Sequence, residues 1–572
     1  MRHFQLDRSS VIKLFGICVF LFMPLFLHDG IGVPAVLNDE IGYLANGAYF
    51  SGYDWNEVLS GIPYYSYGYS ILIAPLYRWI SDSSFRYMFL IFLNGVFLAG
   101  SFTVTCRISD HLFPEKNRDF CMIVSFSAVF SSSALVLSQY AWAESLLYLV
   151  TALIVFLLIK IIERPTYGKI FTLAFLGIYV YLVHQRAIAI VLAIVLEVFI
   201  LKMVKKIKWS HFFLFAGLCV CCLLIQSIIK EDLKSSIWST GMLNGSNDYG
   251  GQIEKVTALF SISGIKSLMY SVFGKLYALL QSYALLPIVL FYYIWKKGCS
   301  IVKQRKCELE KLDLIVLFLT VALILAIAVN AVFFLYPDRV DQVVYTRYFD
   351  YIMPTICMLC LLLIRGNFSK KGMLWLLAVV GILALGAQRL IGEIDNQYFI
   401  GIQSPVCYLF SSNYNYYGIA SIFGGIAILG IYSLYTKSRK AGCMCLAIVC
   451  CFSLYTAQTT LSGFIKSDVI TQNMRKNFID FSEKMEDVIP EQEETIYLLR
   501  GEREDYMANF FGGVLQAQSP EVHMQYIDSL AEIPNKGDNF VVVWETNAKI
   551  SEAKYKMVYS NDSLSLYSVY FE

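Results

Sequence analysis

The chain has 572 residues, 57% hydrophobic, 15% aromatic and 16% charged, with a mean hydropathy of +0.57. That composition lies far outside the range of soluble domains and excludes a water-soluble globule. A net charge of +2 without a concentrated basic face argues against nucleic acid as a partner and leaves the charges to set membrane topology.

A short basic lead, Arg2, Arg8 and Lys13, precedes an apolar run from Leu14 to Leu27. It has the look of a signal peptide, but the polar residues that follow favour an uncleaved first span. Apolar runs of roughly 17 to 25 residues then predict about 13 spans. They fall near 12–29, 85–106, 119–137, 144–162, 170–185, 187–203, 211–229, 277–295, 313–335, 350–364, 372–389, 417–436 and 441–458.

Basic clusters such as Lys202/Lys205/Lys206/Lys208, Lys296/Lys297/Lys303 and Lys437/Arg439/Lys440 mark the cytoplasmic loops. About 25 Lys and Arg fall inside against about 11 in the outer loops, a positive-inside bias. The expectation is a multi-pass plasma-membrane protein with its N-terminus in the cytoplasm. Four outer segments are long, 30–84, 230–276, 336–349 and 390–416. Within the first, residues 66–83 are apolar, rich in Tyr and Trp and interrupted by Gly68 and Pro75, which suits a helix lying in the outer interface.

From Phe464 onward the pattern changes. Helical stretches near 467–488 and 503–516 alternate with strand-like runs TIYLL, FVVVWE, YKMVYS and SLYSVY, the mark of a small α/β domain. Residues 460–572 hold 19 acidic against 10 basic residues and no cysteine, so no disulfide framework supports them. The fifteen cysteines sit almost entirely in apolar runs and read as small buried hydrophobes. The expected fold is thus an all-α polytopic transmembrane bundle over 1–459, with its catalytic loop at 30–84, and an extracytoplasmic α/β domain over 460–572.

The most informative stretch directly follows the first span: Asn38-Asp39-Glu40-Ile41-Gly42-Tyr43. Asn38 is a good N-cap, so Asp39 and Glu40 open a helix with Tyr43 one turn later. The helix dipole alone would favour two acids there. Their position just outside a span, at the depth of a lipid headgroup, points instead to function.

The pattern DExxYxxxxA over residues 39–48, followed by the aromatic stretch Tyr64-Tyr65-Ser66-Tyr67-Gly68-Tyr69, resembles the GT-C superfamily of polyprenyl-phosphate-sugar-dependent membrane glycosyltransferases, of the protein mannosyltransferase and aminoarabinose transferase type. The resemblance extends to SQYAWAESLLYLV, with Glu144 at the start of the fourth span, and to Tyr345-Thr346-Arg347-Tyr348 with a later Pro354. It covers roughly the first 365 residues. It departs from the superfamily near the interfacial helix, where Tyr and Ser replace a common Pro-Pro.

What the resemblance implies is transfer of a sugar from a polyprenyl-phosphate donor to a cell-envelope acceptor, with membrane lipid as surroundings. A polyprenyl phosphate leaves without being protonated, so one carboxylate suffices to deprotonate the acceptor. Asp39 is expected as that base. Glu40 is expected beside it, binding acceptor hydroxyls or raising the pKa of Asp39 by like-charge proximity. Tyr43, Tyr65, Tyr67, Glu144 and Tyr345 are expected to line the substrate site, and Arg186 and Arg347 to meet the leaving phosphate, for which a guanidinium fork is suited. Arg339 and Arg78 are further cations of the outer face. Asp338 and Asp341 could pair with Arg339 or join Glu144 around a divalent ion, but no metal ligand or cofactor is assigned. Glu197, inside the sixth span, reads as structural.

Two other classes share this architecture. An O-antigen-type polymerase or ligase would need paired basic residues in its outer loops, where the first loop is acidic. A polysaccharide flippase or transporter would gather charged and helix-breaking residues at mid-membrane, whereas here they gather at outer span ends.

Overall fold

In a computed structural model of the chain, residues 7–35, 37–59, 64–238, 252–304, 308–364, 370–394, 396, 398–409, 417–463, 469–489, 495–500, 506–534, 539–544, 550 and 554–569 are described. Its helices are α1 (Arg8–Leu27), α2 (Leu37–Ser51), α3 (Gly68–Trp79), α4 (Ser83–Leu112), α5 (Arg118–Val129), α6 (Ser132–Leu137), α7 (Glu144–Glu163), α8 (Tyr167–Val183), α9 (Ile188–Met203), α10 (Trp209–Ser236) and α11 (Gln252–Ala258). They continue with α12 (Ile262–Ser282), α13 (Pro287–Gln304), α14 (Lys311–Phe333), α15 (Val340–Val343), α16 (Met353–Ile364), α17 (Lys370–Gly392), α18 (Pro405–Leu409), α19 (Tyr417–Lys437), α20 (Arg439–Leu461), α21 (Val469–Val488) and α22 (Tyr506–Gln518).

Among the described residues six helices, α1, α4, α7, α10, α14 and α20, are long and apolar enough to cross a membrane, or seven if the bent pair α12–α13 counts as one span. Two departures from the expected spans have local causes. The run 277–295 is not one helix: α12 and α13 meet at 106° across residues where Ala284 and Leu285 take φ of 50° and 63°, a left-handed turn that no continuous helix admits. The run 119–137 divides at Phe130 and Ser131, where the Ser131 hydroxyl accepts the Ala134 N–H at 3.3 Å and starts α6 afresh.

The first outer segment folds as a helical hairpin. α3 begins at Gly68, runs through Pro75 rather than breaking there, and lies on α2. The Ser70 hydroxyl donates to the Tyr43 carbonyl (2.8 Å) and Tyr77 to that of Leu44 (3.0 Å). The start of α3 also touches the end of α8. A Cβ on Gly68 would stand 2.5 Å from the backbone at Leu182 and Val183, so only glycine allows that approach.

At the C-terminal end, β1 (Ile496–Leu499), β2 (Met524–Ile527), β3 (Asn539–Trp544), β4 (Tyr555–Ser560) and β5 (Leu564–Val569) form one sheet in the order β2-β1-β3-β5-β4. β1 runs parallel to β2 and β3, while β5 is antiparallel to β3 and β4. Four of these strands match the expected runs. β2, only four residues long, carries too little alternation to register as a strand. Phe478 of α21 and Phe511 of α22 both pack against Trp544, placing the two helices on one face of the sheet.

This unit is bolted to the first outer segment. On α22, Gly513 lies against Ile41 of α2, where an added Cβ would meet the Ile41 side chain at 3.0 Å. Nearby, the Gln518 carbonyl accepts from Ser83 (2.5 Å), and the Pro520 carbonyl from the Trp55 indole (3.2 Å). The central contact is Arg475 of α21, which pairs with Asp29 at 2.6 Å and donates to the carbonyls of Ile31 (3.3 Å) and Val33 (2.5 Å). Both side chains are almost completely buried, at 2% and 6% exposure. Removing one member of such a pair strands the other charge, which costs about 3–5 kcal/mol. Arg475→Ala should therefore lower the melting temperature and expose the C-terminal unit to limited proteolysis, read by band pattern in detergent. An unchanged digest would show that the contact does not hold the unit in place.

Candidate active site

The helix α2 begins at Leu37, two residues earlier than expected, so Asn38 falls inside the first turn rather than before it. Asp39 and Glu40 are adjacent in that turn, about 100° apart around the helix, and they go to different places. Glu40 is fully buried. Its carboxylate accepts the Ala35 N–H (2.6 Å), the Tyr87 hydroxyl (2.6 Å) and the Ala141 N–H (2.9 Å). It ties the loop after α1, helix α4 and the loop before α7 into one knot.

Asp39 faces the other way. One carboxylate oxygen accepts the Tyr65 hydroxyl at 2.5 Å and the other the Arg347 guanidinium at 2.6 Å. Arg347 also pairs with Glu144, the first residue of α7, and its guanidinium lies over the Trp142 ring at 3.8 Å. The cation is thus shared by two carboxylates from distant parts of the chain. Arg347 and Glu144 are sealed, at 4% and 3% side-chain exposure, whereas Asp39 keeps 26%. Asp39 is the member of the trio that a substrate can reach.

Burial acts to raise the Asp39 pKa, but the Arg347 charge, the Tyr65 and Arg347 hydrogen bonds and the charge of Arg186 outweigh it, so the carboxyl is held below its ordinary value. The expectation that Glu40 raises Asp39 is overturned: the guanidinium governs it. A depressed folded-state pKa means that this pair stabilises the protein above the ordinary aspartate range and ceases to do so as pH falls through the lowered value.

Each partner is held by its own surroundings. The Tyr65 ring lies so close to α2 that a Cβ on Gly42 would stand 2.1 Å from it. The Tyr65 carbonyl accepts from Asn46 (2.9 Å), which in turn accepts the Trp238 indole N–H (2.9 Å). Arg347 is fixed through its backbone, since the N–H groups of Thr346 and Arg347 both donate to the Gln403 carbonyl at 3.2 Å. Beneath it, Thr346 and Tyr283 donate to Asp350 at 3.1 and 2.6 Å.

Arg186 lies in the turn between α8 and α9 with its guanidinium 3.6 Å from both the Phe333 and Tyr348 rings. On the far side, Lys255 of α11 sits over the same Phe333 ring at 4.8 Å and donates to its carbonyl at 2.8 Å. His184 accepts the Arg186 N–H through Nδ1 at 3.2 Å. Burial, with Arg186 and Arg347 close by, drives the His184 pKa well below its usual value. It is neutral at physiological pH, with its proton on Nε2.

The remaining expected residues sit around this centre. Tyr43 is buried edge-on to Tyr65 and Tyr69 and acts on the site through Tyr65. Tyr67 is buried against Phe50, and Tyr345 against Phe334 and Tyr348. Asp341 is buried against Arg339 at 3.2 Å; burial raises its pKa to about 6, Arg339 opposing. It does not join Glu144, and among the described residues no three His, Cys, Asp or Glu side chains converge to hold a metal ion. Arg78 donates to the Ser51 carbonyl at 3.3 Å. The sequence YLFSSNYNYY at 408–417, whose tyrosines suit either an aromatic belt or stacking on a sugar ring, lies mostly outside the described residues, as does Asn244-Gly245-Ser246, which fits the glycosylation acceptor pattern.

By sequence, no protein-family model matches the chain and no curated protein is similar enough to count as a relative. By structure there are clear likenesses. ArnT from Cupriavidus metallidurans bound to undecaprenyl phosphate superposes with a TM-score of 0.53, covering 98% of this chain and 97% of that one at 10% identity. Its apo state gives 0.51, with 97% of each chain covered at 10% identity. The oligosaccharyltransferase of Archaeoglobus fulgidus aligns more loosely, with a TM-score of 0.44, 9% identity, and 94% and 66% of the two chains covered.

The chain has the fold of the ArnT structures.

Within this fold the residues that sequence reasoning overlooked are those that hold others in place. Asn46 was in view within the first motif and Trp142 just before Glu144, but neither residue type signals a role by itself. Gln403 and Lys255 act from segments with no motif at all. The tight packing at Gly42 generates a sharp test. Gly42→Ala must push the Tyr65 ring aside, breaking its hydrogen bond to Asp39, so any Asp39-dependent activity should fall roughly 10-fold or more, in line with the loss of a hydrogen bond to a charged group. Tyr65→Phe should reproduce most of that loss, and full activity in both variants would remove Tyr65 from the site.

Proposed function

We propose that the protein transfers a sugar from a polyprenyl-phosphate donor to a hydroxyl-bearing acceptor of the cell envelope, on the outer face of the membrane. The observation that carries this reading is a partly exposed aspartate, Asp39, beside a sealed arginine at the end of a membrane bundle, in a fold shared with an ArnT structure that holds undecaprenyl phosphate.

In the reaction the acceptor O–H gives its proton to Asp39. Its oxygen forms the new bond to the anomeric carbon as the bond from that carbon to the phosphate oxygen breaks. The departing phosphate keeps the bonding electrons, and Arg186 and Arg347 meet its negative charge, with Lys255 as a further cation behind the Phe333 ring. Neutral His184 supplies an N–H donor without adding charge. Asp39 in its resting ion pair is a weak base. An arriving donor phosphate competes for Arg347, which weakens the hold on Asp39 and raises its basicity at the moment a base is needed. Glu144 keeps the guanidinium oriented meanwhile.

The acidic C-terminal unit packs against α2 and the loop before it. Because α22 packs on α2 and Arg475 holds the preceding loop, we propose that the unit shapes the Asp39 site itself rather than only recruiting an acceptor. Truncation from about Ile465 should then abolish donor hydrolysis together with transfer.

Asp39→Asn is the decisive substitution. It leaves Arg347 neutralised by Glu144 and can still accept from Tyr65, so the protein should fold and insert, with a melting temperature lowered only by the loss of the Asp39–Arg347 ion pair. Transfer should fall by about 10²-fold to 10⁴-fold, the usual contribution of a general base. Mass spectrometry of envelope glycans from cells carrying the variant should show loss of one sugar substituent present with the unaltered gene. An unchanged glycan profile in Asp39→Asn cells would sink the assignment. Arg347→Lys, which keeps the charge but loses the fork, should impair transfer while partly preserving stability.

A further inference from the structure

Helices α8 and α9 meet the Asp39 site at one end only. α8 finishes at Val183 beside His184 and Arg186, and α9 runs back from Ile188. The start of α8 and the end of α9 therefore lie at the opposite end of the bundle, about 25 Å away for a helix of this length. There a cavity of about 470 Å³ opens, lined among others by Thr166, Tyr167, Lys205, Lys206, Lys208 and His211. No carboxylate lines it.

Three features bear on what it would take. First, α8 and α10 both begin at its wall, capped by Thr166 and Lys208, and helix N-termini favour anions. Second, α9 ends with Lys205 at φ 61°, and the N–H of Lys206 returns to the Leu201 carbonyl at 2.8 Å. Glycine is the usual residue in that left-handed position, and a lysine occupies it at a conformational disadvantage that local folding does not require. Third, the wall of the cavity continues into an aromatic, outward-facing strip. The Tyr167 ring lies tilted against His211, with centroids 4.6 Å apart, and its hydroxyl bonds Ser210 at 3.0 Å. Beyond it Trp209 stacks on Phe213 at 5.6 Å, and Phe171 and Phe175 are exposed along α8.

We propose that this cavity binds the phosphate group of an anionic phospholipid headgroup, whose acyl chains lie along the aromatic strip of α8 and α10. A free phosphate would satisfy the lysines and helix ends equally well but would leave the strip uncovered. The Lys and Arg bias of the sequence assigns this end to the cytoplasmic leaflet, where basic pockets beside spanning helices take anionic headgroups. The proposal is independent of the reaction at Asp39.

The test is native mass spectrometry of the full chain released from nanodiscs of equal phosphatidylglycerol and phosphatidylcholine. The unaltered protein should retain phosphatidylglycerol over phosphatidylcholine by about tenfold or more. The variant K205Q/K206Q/K208Q should retain the two nearly equally, and millimolar inorganic phosphate should leave the lipid bound. Equal retention by the unaltered protein, or an undiminished preference in the variant, overturns the site. Displacement of lipid by inorganic phosphate overturns the lipid assignment. Should the triple variant fail to insert, Lys206→Gln alone, on an exposed side chain, should reduce the preference about fivefold.

Discussion

The Asp39 end of this bundle is organised around one buried guanidinium. Arg347 could not be sealed from water without compensation, since an isolated charge in a low-dielectric interior is prohibitive. Two carboxylates and an aromatic face supply it. The compensating groups come from residues 39, 142 and 144, so satisfying the one charge at residue 347 forces α2, the entry to α7 and the loop before α16 into a single arrangement. Glu40 does the same for neutral partners, gathering two backbone N–H groups and one hydroxyl. Neighbouring acids on one helix thus divide the work, one fastening the scaffold and one left open to the site.

This arrangement also accounts for the tension between a base and its low pKa. A carboxylate held by an arginine is well oriented and poorly basic. In the reaction proposed above the same arginine meets the incoming phosphate, so that proposal couples substrate binding and base activation through one side chain. The flanking Arg186, flat against two rings, adds positive potential without a second salt bridge to Asp39, and a neutral histidine beside it keeps the total charge in check.

Much of this was legible in the sequence because it rested on strong, local signals. Long apolar runs announce membrane helices, and an acidic pair just past the first span draws attention to Asp39 and, with the later motifs, to Glu144 and Arg347. What stayed hidden depends on geometry rather than pattern. No spacing rule tells that Glu40 turns inward while Asp39 turns outward, because a single residue step rotates a side chain by about 100°. The turn at Ala284 and Leu285 breaks an apolar run that contains no glycine, so hydropathy alone reads through it. Gln403 serves by its backbone carbonyl, and a carbonyl leaves no trace in the identity of its residue.

The clamp between Arg475 and the loop at Asp29 has a further consequence for how the protein comes into being. Translation delivers residues 29 to 51 long before residues 475 to 521. Until Arg475 and α22 have emerged, the loop before α2 lacks its counter-ion and the helix lacks its cover. The Asp39 helix is therefore inserted first and fastened only afterwards, by a part of the chain made more than four hundred residues later.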